Sequence, residues 1–107
     1  MPSRREKIEA MLVDEPGDVF LRYSLALEFE KEGDHDRSLA GLTGLMKDAT
    51  PYVPAFFMAG QQLVKLERIN EARAALRNGI EEARRQGNAH AAGEMSELLA
   101  SLGRLGE

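Results

Sequence analysis

The chain has 107 residues, of which 43% are hydrophobic and 30% charged, with a net charge of −4. That is enough apolar content for one core, and the wrong sign of field for a general nucleic-acid or anionic-membrane binder. Cysteine is absent, which excludes disulfides, thiolate zinc sites and a cysteine nucleophile and fits a reducing, cytoplasmic location.

Ser3 is placed to cap a first helix, with Glu6 as its capping-box partner, and Ile8, Met11 and Leu12 form the apolar stripe. Pro16-Gly17 stops it. Asp18 caps a second helix running to about Glu32, with Leu21, Leu25, Ala26 and Phe29 at helical spacing, and Gly33 ends it. Asp34 or Asp36 starts a third helix with Leu39, Leu42, Leu45 and Met46 on one face, broken at Thr50-Pro51. A fourth is expected over about 53–66 and a fifth over about 70–86. Gly87-Asn88 separates a sixth carrying Ala92, Met95, Leu99 and Leu102. The connections are short, so neighbouring helices should run antiparallel. No strand pattern, linker or low-complexity tract interrupts them. No run approaches the roughly 18 apolar residues that cross a bilayer, and the segment after Met1 reads as an amphipathic helix, not as the apolar core of a signal peptide.

Ile8, Leu42 and Leu76 are spaced by 34 residues, as are Leu12, Met46 and Ile80, and Tyr23 and Phe57. A period of this length marks one helical hairpin stacked on a copy of itself. Small and bulky residues keep the same stride. Leu25-Ala26 is followed by Phe29, and Ala59-Gly60 by Leu63. Ser38 precedes Leu42, as Ala72 precedes Leu76. Gly33 stands at the first turn and Pro16 and Pro51 near unit ends. Glu67 stands where the first copy has Gly33, and Arg84 where a second-copy Pro is expected.

On these residues the chain resembles the tetratricopeptide repeat family over about 19–86. Many members of that family carry an aromatic at the position of Arg22. The resemblance implies an all-α fold, a right-handed helical-hairpin solenoid of six helices in a single domain over 1–107. Repeats would cover 19–52 and 53–86, with a flanking helix over 3–16 and a capping helix over 88–103. Close crossings would fall at Ala26 against Ser38 and at Gly60 against Ala72. In the capping helix a two-residue slip puts Ser96, in place of Glu94, at the equivalent position. Gly41 and Gly44 permit close approach by a neighbouring helix or second subunit, or mark a locally weak helix.

The family's concave face corresponds to Phe20, Tyr23, Leu27, Glu30 and Lys31 in the first unit, and to Phe57, Gln61, Val64 and Lys65 in the second. This largely apolar set implies a protein-interaction module that takes an apolar peptide or partner helix, with Tyr23 and Phe57 central. The alternatives are that the same face, or the Gly41/Gly44 strip, builds a homodimer, or that these side chains are covered by the last helix or fill the seam between units. A carboxylate clamp is not expected. Its matching positions are Tyr23, Leu27, Met58, Asn88 and Ala92, and only Asn88 is a clamp residue type.

No catalytic residue, metal ligand or cofactor is assigned, and an enzyme is not expected. Asp34-His35-Asp36 reads as a helix start, where acids cap free N–H groups. His35 and His90 lack ligand-spaced partners. Ser24, Ser38, Ser96 and Ser101 have no nucleophile-elbow context, and Gly41 to Gly44 is too short for a phosphate loop. The basic pairs near Arg4 and Arg84 are interleaved with glutamates, as in ordinary helix-surface pairing. Neither nucleic acid nor membrane is an expected partner.

Overall fold

A computed structural model describes residues 1–103; residues 104–107, the end of the expected single domain, lie outside the described part. The described chain is all-helical, with six helices and no strand: α1 (Arg4–Asp14), α2 (Val19–Lys31), α3 (His35–Met46), α4 (Val53–Lys65), α5 (Ile69–Arg85) and α6 (Ala89–Leu102). It divides after Thr50 into two compact units.

In the first unit α2 packs against both α1 and α3. Local chemistry sets the ends of each helix. The Ser3 hydroxyl accepts from the Glu6 N–H, and the Glu6 carboxylate accepts from the Ser3 N–H, closing a capping box. These bonds hold the Glu6 carboxyl below its ordinary pKa. Asp18 accepts from the Leu21 N–H and starts α2. At the other end Gly33 adopts a left-handed φ of 80°. Its N–H donates to Glu30, and the Asp34 N–H donates back to Phe29 at 2.9 Å. This doubly bonded C-cap satisfies carbonyls that the helix end leaves free. Asp34 then accepts from the Arg37 N–H and begins α3.

The α2–α3 crossing lies where the short side chains predicted it. Ala26 and Ser38 are both buried, and the Ser38 hydroxyl donates to the Ala26 carbonyl at 2.7 Å. A Cβ added at Gly41 would stand 3.4 Å from the Ala26 Cβ. That is an ordinary contact with α2, so a methyl group at position 41 would fit and the close approach does not by itself require glycine there. Leu42 and Leu45 are fully buried beside this crossing. Phe29 has two guanidinium groups near its ring, those of Arg5 and Arg37, each centred 5.7 Å from the ring centroid.

The second unit packs α5 between α4 and α6. It repeats the three-residue turn with different residues. Glu67 takes the left-handed position at φ 61°, the one non-glycine among the described residues to do so, and the Arg68 N–H donates to Leu63 at 2.8 Å. Arg68 gives α5 no side-chain cap; it pairs with Glu71 instead, which draws the Glu71 carboxyl below its ordinary pKa. Between α5 and α6 the motif returns in its favourable form, with Gly87 at φ 75° and Asn88 capping the Ala91 N–H.

Two sequence expectations change here. The notch at Gly60 is filled by Leu76, whose Cδ2 lies 2.6 Å from where a Cβ would stand, so Leu76 is its nearest neighbour, and Ala72, the partner expected there, is buried as well. On the α5–α6 side the small residue is Gly79, tucked under Met95 and Phe56, each with an atom 2.5 Å from its missing Cβ. Ser96 is only half-buried while Met95 is fully buried, so α6 presents its long residue and α5 the short one.

Candidate functional site

The predicted surface residues occupy one stripe on each of two helices. On α2, Phe20, Tyr23, Leu27 and Lys31 fall at i, i+3, i+7 and i+11, which stacks them on a single face. The helix turns Ala26 and Phe29 inward and leaves Phe20 72% exposed. Tyr23 and Leu27 are half-buried, and Lys31 is exposed and pairs at 3.4 Å with Glu28. The adjacent Glu30 carboxylate lies 2.8 Å from His35 Nδ1, which ties the foot of the stripe to the start of α3.

On α4, Phe57 and Val64 are half-buried, and Gln61 and Lys65 are exposed. Residues Phe56, Ala59, Gly60 and Leu63 fill the opposite face of the helix. The periodicity thus sorts α4 into a packed side and a side available to solvent. The first unit brings its four predicted residues onto one face, and the second unit does the same with its own four.

Polar groups reached by sequence reasoning have structural partners. Asp34 is a cap, Asp36 lies in the first turn of α3, and His35 is held by Glu30. His90 is exposed and 3.2 Å from Glu94. Among the described residues no group of three or more His, Asp or Glu could hold a metal ion. No helix among the described residues is long and apolar enough to cross a membrane.

Several buried polar residues escaped the sequence reading. Glu28 is 8% exposed and accepts an ion pair from Arg4 at 2.6 Å. Arg73 is 4% exposed; it donates to Asn70 Oδ1 and, at 2.9 Å, to the Gly103 carbonyl at the end of α6. Glu82 pairs with Arg85 and accepts from Gln86, whose amide also donates to the Pro51 carbonyl at 2.8 Å. Arg22 makes a two-pronged bond to Asp48, at 2.7 and 3.1 Å, and this holds the Asp48 carboxyl below its ordinary pKa. Alternation of Glu and Arg along a helix was the available signal, but it does not distinguish a solvated pair from one folded inward.

Comparison with protein-family models, curated proteins and solved structures finds no match.

Proposed function

We propose that the chain is a pair of tetratricopeptide-like hairpins acting as a non-catalytic protein-interaction module. In this reading an apolar peptide or the apolar face of a partner helix lies along the stripe of α2, and the stripe of α4 offers a second such surface. The observation that supports it is Phe20, a large aromatic left 72% exposed on the same face of α2 as Tyr23 and Leu27. Leaving such a side chain in water forgoes about 1.5–3 kcal/mol of burial free energy, which a partner recovers on binding. Aromatic side chains also supply contact area with few rotors to freeze, which makes them frequent centres of binding energy.

The test is a peptide-library screen with the wild type beside a Tyr23→Ala/Phe57→Ala variant. Both should give the same helical circular dichroism, and the variant should lose its ligands by about tenfold or more in affinity, the effect expected when an interface centre is truncated. If every ligand found binds both proteins equally, the stripes are not the recognition surface.

A further inference from the structure

All the basic residues of α1 lie in its first half, Arg4, Arg5 and Lys7, which they share with the capping Glu6 and with Glu9. The helix closes on Asp14, with Glu15 next and no basic residue in the last turn. A helix favours anions at its start and cations at its end. Arg4 and Arg5 are compensated across the hairpin, by Glu28 at 2.6 Å and by Glu32 at 2.9 Å. Lys7 and Asp14 are both exposed and have no ion-pair partner among the described residues. They are not scattered. Lys7, Ala10, Met11 and Asp14 fall at i, i+3, i+4 and i+7, which is one stripe of the helix surface, and all four are exposed, Met11 to 48%. Ile8, buried, marks the side that α1 turns to α2.

This stripe is complementary to itself. Two copies of α1 laid antiparallel about an axis between Ala10 and Met11 place each Lys7 opposite the partner's Asp14. The same axis sets the short Ala10 against the partner's Met11. A parallel pairing would set like charges together. Met11 also edges a groove of about 250 Å³ with Arg4, Lys7, Ile8, Leu21 and Ser24, which gives its flexible side chain room to repack on contact. We propose that this face of α1 is the contact between two copies of the chain, paired antiparallel about a two-fold axis. The surface shares no residue with the α2 and α4 stripes, and one short helix per copy makes the dimer transient and concentration-dependent.

Sedimentation equilibrium of the full chain, at protein concentrations up to about 1 mM, tests it. The wild type should show reversible dimerisation that weakens as salt screens the charges. Lys7→Asp should weaken it about tenfold, because the axis counts each substitution twice and turns two attractions into two repulsions. Asp14→Lys should do the same. Both changes in one chain should restore the dimer, and mixing the two single variants should give mixed dimers that neither forms alone. Circular dichroism checks that each variant remains helical, and the double variant and the mixture keep the test decisive if one single variant does not. The Tyr23→Ala/Phe57→Ala variant should dimerise like the wild type. A chain that stays monomeric at about 1 mM overturns the proposal. So does a dimer indifferent to both charge reversals, or one lost with Tyr23 and Phe57.

Discussion

The α2–α3 and α4–α5 hairpins occupy equivalent positions at an offset of 34 residues and solve the same packing problem by different means. In the first, a directed bond from the Ser38 hydroxyl to the Ala26 carbonyl fixes the crossing, and Arg22 reaches Asp48 beside the buried Leu45. In the second, the residues at those offsets are Ala72 against Ser38, Gly60 against Ala26, Phe56 against Arg22 and Gly79 against Leu45. Leu76 drops into the notch at Gly60, and Phe56 closes over Gly79. Bulk has moved from one helix to the other. The comparison teaches that two similar hairpins can fill corresponding contacts with different residues. At these positions one hairpin uses polar geometry, and the other uses shape.

The largest expected effect breaks the shape-held hairpin. Leu76→Ala should cost about 2–5 kcal/mol in urea denaturation. It should cost more than Leu42→Ala, because Leu76 also fills the notch at Gly60. Equal losses would mean that the notch adds nothing.

Next come the glycines. Gly79→Ala should destabilise by about 1–3 kcal/mol, since the nearest Phe56 atom is a Cβ tied to the backbone and cannot swing away. Gly44→Ala in the first hairpin meets only an Arg22 nitrogen at 3.6 Å, an ordinary contact. It should stabilise by up to about 1 kcal/mol through helix propensity. Opposite signs for the two glycines, read from thermal unfolding, are the outcome that sharpens the contrast.

The turns differ as well. Glu67→Gly should relieve a left-handed backbone that suits glycine and raise stability by about 1 kcal/mol, while Gly33→Ala should lower it by about as much. Chemical denaturation of both variants checks the pair.

The smallest effect is electrostatic and belongs to the first hairpin. The folded-state pKa of Asp48 is lowered by its hydrogen bonds from Arg22. The pair therefore contributes stability above the ordinary carboxylate pKa and loses it as pH falls through the lowered one. Asp48→Asn should flatten the fall in denaturation midpoint between about pH 5 and about pH 3. It should leave the second hairpin's substitutions with unchanged effects.

The helices were readable because their ends are written locally. Ser3 with Glu6, Asp18, Gly33 and Asn88 each act within a few residues of themselves, and the structure uses every one of them as a terminus. The crossing partners were only half readable. Ala26 with Ser38 followed from size, whereas Gly60 was assigned to Ala72 when Leu76 fills its notch, because either residue lies one turn along the same face of α5. Glu67 looked like a missing turn residue, yet the backbone keeps the left-handed conformation there. The three-residue connection between α4 and α5 demands it whatever the side chain. Arg73 was invisible for another reason. Its burial depends on the Gly103 carbonyl, 30 residues away, and no periodicity reports such a meeting. For the candidate surface, spacing was enough to gather Phe20, Tyr23, Leu27 and Lys31 on one face, because all four share one helix. Spacing carried no information about the inward-folded Glu28 just beside them.

Asp34, Arg68 and Asn88 each finish one helix with the backbone N–H and open the next from the same residue. Such a joint has no slack: a single inserted amino acid would rotate everything downstream by about 100° and turn the wrong side of the following rod inward. The stretch from Lys47 to Tyr52, six residues between α3 and α4, is under no such double obligation. It is there that natural length variation, a fused reporter or an epitope should be accommodated without misphasing either hairpin.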